Sequence, residues 1–117
     1  MNVLFVLYHD FTANSAYHVH SLAKELAKHG DSCAVAVPWK KETIAGLSKN
    51  PPYLALDFDD LRARWTRFPD GRGADMVHAW TPREVVRRFV DEMRARHSFA
   101  MCIHLEDNEW HITERSL

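Results

Sequence analysis

The sequence predicts an α/β fold: a three-layer, Rossmann-like parallel sheet of about five strands in the order 3-2-1-4-5, with helices on both faces. Three observations carry this. Short apolar runs alternate with segments whose apolar residues recur at three and four positions. The runs are apolar on both sides, as strands covered by helices above and below must be. Right-handed crossovers between parallel strands then make 3-2-1-4-5 the leading order.

The first run is "NVLFVLY" (2–8). "NSAYHVHSLAKELAKHG" follows with the other period: Ala16, Val19, Leu22, Ala23, Leu26 and Ala27 fall on one helix face. Asn14 or Ser15 is the expected cap, and Gly30 the left-handed stop. "SCAVAVP" (32–38) is the second strand, ended by Pro38. "KKETIAGLSKN" suits a short helix before the breaker pair Pro51–Pro52. "YLALDF" (53–58) is the third strand, "DDLRARW" (59–65) a short helix with Asp59 near its start, and "PDGRGA" (69–74) turn chemistry. "DMVHAW" (75–80) is the fourth strand. In "TPRE", Thr81 is the expected cap, Pro82 the first helical residue and Glu84 the partner of a capping box. Val85, Val86, Phe89, Val90 and Met93 form the stripe of the helix that follows. "FAMCIHL" (99–105) is the fifth strand, and a last helix is expected from near Asn108.

With 117 residues, the chain is a single domain, 1–117. Its net charge of −1 gives no electrostatic case for nucleic acid or an anionic membrane. Arg83, Arg87, Arg88, Arg94 and Arg96 are interleaved with Asp and Glu, as on a solvated helix face. No apolar stretch reaches the ~20 residues of a membrane span, and "MNVLFVLYHD" lacks the basic start and cleavage site of a signal peptide. A cytoplasmic protein is expected, with Cys33 and Cys102 reduced and buried in their strands. In the order 3-2-1-4-5 two strands separate the cysteines. At ~4.8 Å per step their Cα atoms lie well beyond the ~7 Å reach of a disulfide.

Ligands of such sheets bind beyond the carboxyl ends of the strands, near the point where strand order reverses. Three loops meet there: "HDFTANSAYH" (9–18), "WTPRE" (80–84) and "HLEDN" (104–108). The candidate substrate-binding residues on this rim are His9, Thr12, Asn14, Ser15, Trp80, Thr81, Glu106, Asp107 and Asn108, and His104 is the candidate catalytic residue. The acids at 106–109 also suit a solvated loop leading into a helix N-terminus. His18 and His20 point to different helix faces, and no other His or Cys pair shows a recognised ligand spacing, so no metal site is expected. Neither a G-x-G-x-x-G turn nor a phosphate-binding G-x-x-x-x-G-K-[ST] loop is present, and no G-x-S-x-G elbow. No cofactor is expected. His78 alternates with Met76 and Trp80 and is expected to be a satisfied interior histidine.

"MNVLFVLYHDFTANSAYHVHSLAKELAKHGDSCAVAVP" resembles the opening strand-helix-strand of retaining family 4 glycosyltransferases. His18, Val19, Leu22, Ala23, Leu26 and Gly30 fit the family's H-V-x-x-L-A-x-x-L-x-x-x-G helix. "ADMVHAWTPRE" is similar to its D-V-V-H-A-H-T-P segment through Asp75, Val77, His78, Ala79, Thr81 and Pro82, and "CIHLEDNE" resembles the strand that ends in a histidine on the cleft. The resemblance implies the acceptor-side, N-terminal half of a two-domain enzyme, inert without a donor domain that holds a nucleotide-sugar. It implies that His104 contacts the transferred sugar. It also implies that loop 12–16 approaches the donor's phosphates. The family's paired glycines there are replaced by Thr12, Ala13, Asn14, Ser15 and Ala16, so the contact is looser or the loop faces the acceptor. The other expectations are a self-contained flavodoxin-like module for a small anion or a protein partner, and a structural domain with no ligand. In the truncated-domain reading the apolar fifth strand lies at a sheet edge, where either pairing between chains or a last helix folded back over the strand is expected.

Overall fold

In the computed structural model, which describes residues 1–80 and 83–104, five strands form one all-parallel sheet. They are β1 (Asn2–Val6), β2 (Ser32–Val37), β3 (Leu54–Asp57), β4 (Met76–Trp80) and β5 (Ala100–His104). Their order is β3-β2-β1-β4-β5, as the alternation of elements predicts. Helices α1 (Asn14–Lys28), α2 (Ile44–Leu47), α3 (Phe58–Ala63) and α4 (Glu84–Arg94) fill the connections, and a 3-10 turn, Lys41–Thr43, leads into α2.

Every residue of β1 is buried because both faces are covered. Val3, Phe5 and Leu7 pack with Cys33, Val35 and Val37 of β2 and with Ala16, Val19 and Ala23 of α1. The intervening Leu4 and Val6 share the other face with Ala34, Ala36, Val77 and Ala79, under Phe58 and Leu61 of α3 and Val86, Phe89, Val90 and Met93 of α4. Phe58 and Phe89 stack there with ring centroids 4.1 Å apart.

Several helix ends differ from expectation. Asn14 and Ser15 lie inside α1. The cap position is Ala13, which has no polar side chain. Asp10 organises this turn instead: its carboxylate accepts from the Thr12 N–H at 2.9 Å and its carbonyl from the Ala13 N–H at 3.3 Å. At the other end Gly30 has φ +92°, and the N–H groups of Gly30 and Asp31 bond back to the Ala27 and Leu26 carbonyls. This is the Schellman closure that a glycine stop permits. Helix α3 begins one residue before the predicted start. Its cap is Asp57, whose carboxylate accepts from Asp60 N–H at 2.7 Å while Asp60 accepts from Asp57 N–H at 3.0 Å. Helix α4 begins two residues later than predicted. Arg83 is its cap, with extended backbone at ψ 139°; the expected cap Thr81 and first helical residue Pro82 lie outside the described residues. The extended Arg83 places its guanidinium 4.8 Å from the centre of the Tyr8 ring.

Arg88 and Arg87 pair with Glu84 on the outer face of α4, the solvated role read from the charge pattern. Cys33 is buried, and burial pushes its thiol pKa up to about 11. Cys102 corrects the expectation: it is exposed. It sits on β5, at the sheet edge three strands from β2, where α1 packs. Both cysteines are free thiols. Among the described residues no helix is long and apolar enough to cross a membrane. The predicted last helix lies outside the described residues.

Candidate functional site

The parallel sheet brings the ends of β1, β4 and β5 to one side of the molecule. Val6 is level with Ala79, and Trp80 with His104. His9, Trp80 and His104 therefore share the carboxyl rim, as predicted. Thr81, Glu106, Asp107 and Asn108 lie outside the described residues.

Strand alternation decides which side chains meet. Phe5, His78 and Cys102 are register partners across β1, β4 and β5, and Trp80 and His104 are the next pair on the same face. The result is a row of rings. His78 stacks on Phe5 at 5.0 Å, His104 lies 4.7 Å from His78, and His104 stacks on Trp80 at 4.4 Å with planes 17° apart. The two imidazoles are also hydrogen-bonded, His78 Nδ1 to His104 Nε2 at 2.5 Å. One ring donates and the other accepts, so at least one ring is neutral. Burial holds both pKa values below the ordinary imidazole value, and for His78 the neighbouring His104 lowers it further. The Cys102 thiol completes the cluster: its sulfur and one nitrogen of each ring all lie within 4.8 Å of one another.

The loop after β1 is a second, separate group. His9 Nδ1 donates to Asp10 at 3.1 Å and its ring meets the exposed Trp39 edge-on at 5.6 Å. Asp10 is only 6% exposed. The Thr12 hydroxyl, 2.5 Å away, holds its carboxyl below the usual range. Thr43 Oγ1 accepts from the Phe11 N–H at 3.0 Å and ties the loop to the 3-10 turn. Thr12 thus spends both its hydroxyl and its N–H on Asp10. Asn14 is exposed on the helix start, whereas Ser15 is 4% exposed and its hydroxyl has no partner among the described residues.

The sequence does not single out Asp10, it marks Cys102 only as a buried thiol, and it marks His78 as a satisfied interior histidine. His78 is half-buried and engaged, but its partner is His104. C-x-H within one strand places both side chains on one face, and that signal was available. The pairing of His78 with Cys102 depends on strand register, which no local pattern shows. On the opposite face a groove of about 260 Å³ between α4 and β5 is lined by Val86, Val90, Met101 and Ile103.

No family model, no curated protein and no solved structure matched this chain.

Proposed function

We propose that this chain is the acceptor-side sheet domain of a glycosyltransferase, with His104 facing the transferred sugar and a nucleotide-sugar held by a second sheet domain. The observation that carries this reading is the stack of His104 on Trp80 at the carboxyl end of adjacent parallel strands. A sugar ring presents apolar C–H faces and polar hydroxyl edges. The buried Trp80 indole holds the half-buried His104 ring in place, and that imidazole is the group a sugar hydroxyl would meet. The three segments that resemble family 4 glycosyltransferases support the same assignment.

In this reading loop 12–16 serves the acceptor and not the donor's phosphates. The Asp10 carboxylate sits at the head of that turn, and the Thr12 and Ala13 N–H groups already bond to Asp10. A buried carboxylate repels an anion. The same residue counts against a self-contained module for a small anion.

Histidine and indole resonances, followed by NMR during titration with hexoses and nucleotide-sugars, test this. His104 and Trp80 signals should shift saturably, with dissociation constants near ~1 mM, and Trp80→Ala should abolish the response. No response of His104 to any sugar would refute the reading. In a protein that also carries the donor domain, His104→Ala should lower kcat by about 100-fold or more with an unchanged melting temperature.

The edge position of β5, where Ile103 is 58% exposed, supports pairing of two copies along that strand. Ile103→Lys should shift sedimentation toward the monomer. A wild-type chain that sediments as a monomer at every concentration removes the idea.

A further inference from the structure

We propose that His78, Cys102 and His104 form a binding site for one zinc ion on the face of β4 and β5. The inference stands on geometry and is independent of the sugar-transfer reading.

Three observations support it. First, the ligand set comes from two neighbouring strands of the sheet. His78 and Cys102 are register partners, and His104 follows Cys102 by two residues on the same face. Rigid strands hold such sites better than loops do. Second, the ligand atoms are close enough. All three lie within 4.8 Å of one another. Bond lengths of about 2.1 Å to nitrogen and 2.3 Å to sulfur separate tetrahedral ligand atoms by roughly 3.3–3.7 Å. The two imidazoles must part from their 2.5 Å contact and the thiol must swing inward. Both are side-chain rotations. Third, the hydrogen-bonded imidazoles already converge on one point. The accepting nitrogen aims its lone pair there, and a cation would take the place of the shared proton.

The protons balance simply. Cys102 loses its thiol proton to solvent and binds as thiolate. The ring that donates the hydrogen bond binds as its other tautomer, its proton now on the outer nitrogen. The site changes charge by +1, from a neutral triad to a zinc ion with one thiolate. Two imidazoles and a thiolate select zinc over magnesium or calcium, which prefer oxygen. Three protein ligands leave a fourth position on the exposed side, where Cys102 meets solvent. An ion there occupies His104 Nε2, so zinc and a sugar compete for this nitrogen if both bind.

The test titrates Co(II), a spectroscopic stand-in, into the chain in a phosphine reductant, then displaces it with Zn(II). No sugar is present, so failure here leaves the sugar-binding reading untouched. One cobalt per chain should bind with a thiolate-to-cobalt charge-transfer band that zinc bleaches. The band should persist in Cys33→Ser and vanish in Cys102→Ser. His104→Gln and His78→Gln should each weaken zinc binding more than about tenfold. Cys102 and His104 variants suffice if His78→Gln does not fold, which circular dichroism reports. A band retained in Cys102→Ser, a stoichiometry of one metal per two chains, or zinc affinity unchanged in His104→Gln would overturn the site.

Discussion

One face of the sheet is built in two ways. Over β1 and β2 it carries Val3, Phe5, Leu7, Cys33, Val35 and Val37, sealed by Ala16, Val19 and Ala23 of α1. Over β4 and β5 the same face carries His78, Trp80, Cys102 and His104, and only Trp80 among them is buried. The first half spends its side chains on burial. The second half stacks polar rings against one another and leaves a thiol in solvent. The covered half and the opposite face supply the burial that drives folding, so the open half is free to hold groups whose value is chemical.

The largest expected effect breaks the covered half. Phe5→Ala should cost about 3–5 kcal/mol in denaturant unfolding, because it removes a fully buried ring and leaves a cavity. Cys102→Ala, two strands away in the same register row, should stay within about 0.5 kcal/mol. Similar costs at both positions would erase the distinction.

The opposite face should be intolerant too, with a smaller cost. A Cβ on Gly73 would lie 2.2 Å from the Trp65 indole, which is buried in the α3–α4 layer. Gly73→Ala should therefore cost about 1–3 kcal/mol, as overpacked sites do, read from the same unfolding curves. A neutral result would mean that the indole has room to move.

The same division explains what could be read from the sequence. Burial leaves a periodic trace, so "NVLFVLY" and "SCAVAV" announced buried strands, and the stripe of Val86, Phe89, Val90 and Met93 announced α4. Strand order followed from alternation together with right-handed crossovers. Helix starts were less legible, because a start depends on which backbone turns first. Ser15 has the chemistry of a cap, but the chain turns at Asp10 and the serine goes inward. Thr81 and Pro82 carry a start signal, but Arg83 stays extended. Of the site, His104 at a strand end was visible from position. Its partner His78 and the exposure of Cys102 were not, because both depend on register and on how far α1 reaches across the sheet.

Smaller effects sharpen the contrast through pH. His78, His97 and His104 each have a pKa below the ordinary 6.5, mainly through burial. A lowered imidazole pKa means that the unfolded chain takes up protons first as pH falls. The stability tied to the neutral rings is present above about 6.5 and is lost as pH drops through the lower, folded values. Stability should decline on acidification from pH 7. His97 stacks on Trp65 at 4.8 Å, with Arg96 as its charged neighbour, and its Nε2 has no partner among the described residues. His97→Phe keeps the stack and removes one titrating group, so it should flatten the decline. An unchanged slope would assign the acid sensitivity to the His78–His104 pair.

The smallest effect has the opposite sign and lies inside the covered half. Ser15 is in the first turn of α1, buried against the layer that holds Ala16 and Val19. Its hydroxyl was stripped of water on folding and has gained no partner among the described residues. Such a group destabilises the fold, since desolvation is not offset by a bond. Alanine removes the hydroxyl, loses almost no apolar volume and favours the helix by a few tenths of a kcal/mol. Ser15→Ala should therefore raise stability by about 0.5–1 kcal/mol, measured as a higher denaturant midpoint at constant slope. A loss of stability would show that the hydroxyl bonds a group outside the described residues, and would return Ser15 to the list of residues that the rim uses.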